Sequence, residues 1–264
     1  MTKAAQGIGT SSFAGANPNC LVFVMDGMAA GENIIANKGG EEGYVATSDI
    51  RINSGYAFDT PNTFTMNGNK VLMEHNLDAG NTWNSLVLPF NMNSEEISAA
   101  FGGNATVAHL DSISGQTIYF SDDSQKVKAN TPFIISAADA KDSYTFSVDS
   151  IHSAEDYTAD TKPGIEFVAA YAPQTLPEGC YTVSGNTANN AEEETISSFA
   201  GYFRIEGGAA SYTLQIGKPT GTGSIEAAGA AYGKDKAIYN INGQRMSNLR
   251  PGINIINGKK VVVE

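Results

Sequence analysis

Glu41-Glu42, Asp122-Asp123, Glu155-Asp156 and the run Glu192, Glu193 and Glu194 are the residues whose pairing could do acid–base chemistry. A glycosidase built on two carboxyls needs one desolvated, so that it keeps its proton, while the other stays ionised. These clusters stand among Gly, Ser and Asn, where water keeps both members charged. They read as solvated loop charge. His75, His109 and His152 are each isolated in strand-like stretches, whereas paired imidazole ligands usually sit a few residues apart on one element. Asp122, Asp123 and Ser124 lack the alternating oxygen ligands and central Gly of a calcium loop. No metal site is expected. "GIGTSS" from Gly7 has no third Gly and follows no strand, and "GAAYGKDK" has no Ser or Thr after its first Lys, so neither cradles phosphate. No Gly-x-Ser-x-Gly elbow occurs. The expectation is a protein without catalytic residues or cofactor.

Aromatic platforms are the remaining recognition chemistry, because a flat ring matches the apolar face of a sugar. Most of the tyrosines fall in phase with other apolar strand residues, and the single Trp83 precedes "SLVLPF" as a core or sheet-edge anchor. Tyr44, Tyr56 and Tyr232 break that phase and are the candidate ligand-binding residues. Cys20 and Cys180 are the only thiols, with no Cys-x-x-Cys and no neighbouring His to make a zinc site. Two readings of them stand side by side: thiols packing as small hydrophobes, or one long-range disulfide formed in an oxidising compartment.

The elements that must carry these residues are strands. Short apolar runs such as "CLVFV", "TFTM", "KVLMEH", "PFII" and "GYFRI" recur every eight to twelve residues or so between turn formers, the spacing of a sandwich or barrel. Tyr144, Phe146 and Val148 alternate with Thr145, Ser147 and Asp149, and Tyr212, Leu214 and Ile216 alternate with Thr213 and Gln215. Each such strand has one dry face and one wet face. One short helix is expected after Asn93, which with Glu96 three residues on forms a capping-box signature. Asn67-Gly68 supplies the positive φ angles of a tight hairpin turn, as do Asn242-Gly243 and Asn257-Gly258 near the end. The fold class is all-β: an antiparallel β-sandwich with an additional N-terminal β module and a C-terminal hairpin meander. The expected domains are a flexible lead-in over 1–16, the N-terminal module over 17–79 and the sandwich over 80–217. A linker over 218–237 and a hairpin module over 238–264 complete the chain.

With 41% apolar residues, 264 positions suffice to bury a substantial core. Sixteen basic against 28 acidic residues leave a net charge of -12, which repels phosphate backbones and anionic lipid. Nucleic acid is therefore not an expected partner. No stretch is long and apolar enough to span a bilayer, so membrane insertion of this segment is not expected, and "MTKAAQGIGTSSFAGANPN" contains no apolar core of a signal peptide.

Two stretches resemble known proteins. Asn17, Pro18 and Asn19, then Trp83, Ser85, Leu86, Leu88, Pro89 and Phe90, continuing into "ANTPFII", are similar to a β-rich segment of secreted and cell-surface proteins of Bacteroidetes. "IYNINGQRMSNLRPGINIINGKKVVV" resembles the C-terminal module of the same proteins, related to type IX secretion sorting domains, through Tyr239, Asn240, Gly243, Gln244, Pro251, Gly252, Asn257, Gly258 and Lys259. The resemblance implies an extracellular, cell-surface or periplasmic location, with export provided by a precursor longer than this sequence. It implies a non-catalytic module that supports adhesion or presents neighbouring domains, with a glycan or a surface protein of host or bacterium as partner. A carbohydrate-binding module is the second expectation, and a glycoside hydrolase or its accessory the third.

Overall fold

Alternate burial along the strands follows from the two-residue period of extended backbone. Tyr144, Phe146 and Val148 are buried while Ser143, Thr145 and Asp149 face water, and Tyr212 and Leu214 are buried beside exposed Thr213 and Gln215. The computed structural model describes residues 15–27, 31–78, 80, 82–122, 125–137, 141–157, 159–206, 208–217, 238–240, 242–246, 250, 252–256 and 259–263. Among these, helix Ser94–Phe101 and the single turn Ala154–Asp156 are the helical elements, and the class is all-β. The helix begins as its sequence requires. Asn93 Oδ1 accepts from the backbone N–H groups of Glu95 and Glu96, and the Glu96 carboxylate accepts from Asn93 N. The chain divides into two units, Met1–Ile216 and Gly217–Glu264.

A ten-stranded sheet dominates the first unit. Its order is Asp160–Lys162, Ile165–Ala170, Ala200–Ile205, Cys180–Ser184, Thr187–Asn190, Ser211–Ile216, Thr117–Ser121, Thr106–Ser114, Phe133–Ser136 and Asn84–Leu86. The sheet curls on itself, so that the edge strand Asp160–Lys162 returns against Thr106–Ser114 and the opposite edge, Asn84–Leu86, against Ala200–Ile205. Curling lets one face fill its own interior with Phe120, Phe167, Phe203, Tyr181, Ile118 and Leu214, and Trp83 packs at its margin. Phe167 stacks on Phe203 with ring centres 4.4 Å apart. That stack needs a residue without a side chain beside it, because a Cβ on Gly201 would lie 2.5 Å from the Phe167 ring. Gly201→Ala is expected to lower stability by about 2 kcal/mol through overpacking, read as a shifted urea midpoint at unchanged slope.

Besides the short pair Gln174–Thr175 and Thr195–Ile196, two smaller sheets close the rest of the unit. One runs Val22–Met25, Ile34–Gly39, Gly43–Ala46, Phe64–Thr65 and Ser150–Ile151, and the other Ser143–Phe146, Val71–Glu74 and Ile50–Asn53. Each takes strands from both sides of residue 80. Phe64 pairs with Ile151, and Met73 with Tyr144. A single buried cluster results, in which Ile35, Phe64 and Met73 pack with Phe90, Phe101 and Phe199. Segments 17–79 and 80–216 therefore share this cluster, beside two further clusters built from 80–216 alone.

Two features differ from the sequence expectation. Asn67 and Gly68 do adopt positive φ, at 47° and 82°, and Asn69 N donates to Met66 O at 2.9 Å. The strands on either side of this turn nevertheless belong to different sheets, since Val71–Glu74 pairs with Ile50–Asn53 and Ser143–Phe146. A local turn reverses the chain; it does not choose the partner. Pairing is also mixed, with parallel ladders joining Val22–Met25 to Ile34–Gly39, Ile50–Asn53 to Val71–Glu74, Gly43–Ala46 to Phe64–Thr65 and Ser211–Ile216 to Thr117–Ser121. Parallel neighbours need a long connection rather than a two-residue turn.

The second unit holds an antiparallel sheet ordered Arg245–Met246, Ile238–Tyr239, Gly252–Ile256 and Lys259–Val263. Gly243, at φ 76°, turns the first hairpin and its N–H donates to Asn240 O at 2.9 Å. Residues 218–237, read as a linker, and the Asn257-Gly258 turn lie outside the described residues.

Candidate functional site

Met92 and Val127 exchange both backbone hydrogen bonds, 2.9 Å in each direction, and both side chains are buried. Their neighbours therefore project to the other face. Asn91 and Asn93 flank Met92, Lys126 and Lys128 flank Val127, and all four are exposed. Antiparallel pairing sets Asn91 across from Lys128 and Asn93 across from Lys126. This bridge forms the floor of an open groove of about 800 Å³, walled by His109, Asp149, Ser150, Asp160 and Lys162.

Several polar side chains of the groove are held in place by the main chain. Asn91 Oδ1 accepts from Ala129 N at 2.9 Å, while its Nδ2 lies 3.1 Å from His152 Nε2. His109 Nε2 lies 2.7 Å from Lys126 O; a carbonyl only accepts, so this ring nitrogen carries the hydrogen. Glu96 is committed to the helix cap, and Asp160 to Lys162 at 3.0 Å. Lys126 and Lys128 make no ion pair among the described residues. The groove thus offers two uncommitted ammonium groups and a row of fixed amides, a donor-rich surface suited to oxygen-rich ligands. Its volume falls within the range of ordinary ligand sites.

A second groove, of about 530 Å³, contains Tyr56, which is 47% exposed, together with Glu32, Asn33, Arg51, Asn53 and Glu74. Its polar groups serve the chain itself. Asn33 Nδ2 donates to Pro18 O and Arg51 O, Asn33 Oδ1 accepts from Arg51 N, and Arg51 pairs with Glu32 at 2.8 Å. Asn53 is tied to Glu74 and to Gly55 N. One exposed ring beside groups already spoken for is a thin platform.

The tyrosines singled out by their phase do not converge. Tyr44 is half-buried, its ring edge-on to Phe23 at 5.3 Å, and does not line the Tyr56 groove. Tyr232 lies outside the described residues. Cys20 is exposed and Cys180 buried, and both are free thiols. Burial raises the Cys180 thiol above its ordinary value, against the opposing pull of Arg204. Among the described residues no group of three His, Cys, Asp or Glu side chains is placed to hold a metal ion. No helix there is long and apolar enough to cross a membrane.

The groove residues carried one local signal that sequence reasoning passed over. "NMN" and "KVK" are both polar–apolar–polar triplets, which places the outer residues of each on one face. Nothing within either triplet says that the two lie opposite each other. Set against protein-family models, curated proteins and solved structures, the chain shows no match in any of the three.

Proposed function

We propose that this chain is a non-catalytic, extracellular module of a bacterial surface or secreted protein, supporting attachment through the groove over the Met92–Val127 bridge. The observation that carries the reading is the way Asn91, Glu96, His109 and Asp160 are each fastened to main chain or to a neighbouring charge. Groups so held are suited to recognition, where pre-set geometry lowers the cost of ordering on binding. A general acid or base, by contrast, must be free to exchange its proton with a substrate. The extracellular location rests on the resemblance in residues 17–135 and 239–259. The sugar-binding version is favoured by the same groove, whose fixed amides and ammonium groups match hydroxyl and carboxylate oxygens.

The reading is tested with the purified full chain coupled to beads. Adhesion to polysaccharide- or cell-coated surfaces, with no turnover of chromogenic glycosides or esters, is the expected result. Turnover that disappears on replacing one acidic residue would overturn it.

A further inference from the structure

We infer that the groove over the Met92–Val127 bridge binds acidic oligosaccharides, with Lys126 and Lys128 meeting uronate carboxylates. This rests on the attachment reading above and names its ligand. The first support is charge placement. In a chain of net charge -12 with only 16 basic residues, Lys126, Lys128 and Lys162 all face one groove. Asp160 is paired with Lys162, and the Glu96 carboxylate, still charged, is turned onto the helix cap, so Glu96 and Asp149 share the groove with Lys126 and Lys128 and neither is within ion-pair distance of them. Remote acidic residues matter little, because charge beyond about 8 Å is screened at physiological salt.

Spacing is the second support. Lys126 and Lys128 stand two residues apart on extended backbone, so their stems leave it roughly 7 Å apart on one face. A short saccharide chain laid along that face presents its carboxylates to both. Asn91 and Asn93, across the bridge, have their oxygens committed to backbone N–H groups and turn amide N–H donors toward ring hydroxyls, and Thr131 and Ser150 extend the row.

An acidic peptide fits less well. A bound peptide usually recruits main-chain partners from an open strand, and the floor strands have spent theirs on each other: Met92 and Val127 bond reciprocally.

Titration calorimetry of the full chain with tetragalacturonate tests the inference, with its methyl ester and a tetraglutamate peptide as the other probes. The expected result is binding of the free acid, no heat with the ester, and weaker binding of the peptide. Lys126→Gln with Lys128→Gln should weaken the acid at least about tenfold, whereas Asp149→Asn should leave it equal or tighter. All three positions are exposed, and circular dichroism checks that each variant is folded. Equal binding of acid and ester, tighter binding of the peptide, an unaffected double variant, or no heat with the acid at millimolar concentration would each overturn the inference. Bead adhesion that persists alongside a null titration would remove this ligand and leave the attachment reading standing.

Discussion

Phe90→Ala is expected to cost about 3–5 kcal/mol and to destabilise the first unit as a whole. Phe90 is fully buried, with its ring centre 4.9 Å from that of Phe146, in the cluster that also contains Phe64 and Met73. Removing the ring opens a cavity between segments contributed from both sides of residue 80. If those segments form one cooperative body, far-ultraviolet dichroism and the fluorescence of Trp83 shift together in urea. Trp83 is the single tryptophan and packs at the margin of the large curled sheet's interior, against a cluster distinct from that of Phe90. A fluorescence transition left in place while the dichroism transition moves would separate the two cores. The size of the effect follows from the site. Helix Ser94–Phe101 and paired strands border the cavity, and such elements relax only in part around a missing ring.

Acidification supplies the second large effect, through His75. Burial holds its imidazole down at about 4, against 6.5 for an ordinary histidine, and Nδ1 is buried without a hydrogen-bond partner. Glu74 and Asp142 line the same small cavity of about 420 Å³. The folded chain thus keeps His75 neutral, while the unfolded chain takes up a proton once pH falls below about 6.5. Between the two values the unfolded state binds more protons, so stability drops as pH falls, and below about 4 the group has no further influence. The contribution is full at neutral pH and declines by about 2–3 kcal/mol on going from about pH 7.5 to about pH 4.5. Urea unfolding of wild type and His75→Gln at both values isolates it. The variant should show a pH slope smaller by that amount, whatever its stability at neutral pH. An unchanged slope would mean that His75 is hydrated.

Local order was legible in the sequence wherever it depended on neighbours along the chain. Alternation gave the buried face of Tyr144, Phe146 and Val148, and the Asn93–Glu96 spacing gave the helix start. The Asn67-Gly68 turn gave its own positive φ angles but not its consequences. Pairing between distant strands depends on which apolar faces cover each other, and no local pattern encodes that. Ile50–Asn53 lies parallel to Val71–Glu74, although the turn at Asn67-Gly68 suggests an antiparallel partner. The groove was illegible for the same reason. Its floor joins residues 91–93 to 126–128, and its far wall comes from 160–162. Tyr44 breaks the phase of its neighbours, a pattern that predicts a surface contact. It lies in Gly43–Ala46, beside a register shift in the ladder with Ile34–Gly39, where alternation is disturbed and the ring turns in against Phe23.

Strand Ser211–Ile216 is the last of the large sheet in sequence, yet it lies inside it, between Thr187–Asn190 and Thr117–Ser121. A chain emerging from a ribosome or a translocation pore can form the neighbouring hairpins early, but this slot stays vacant until the final strand arrives. The curled sheet is then completed in one late step, much as a zip closes only when its slider reaches the end. Until that moment two strand edges stand unpaired and open to other chains, so slowing the release of residue 216 should favour aggregation over folding.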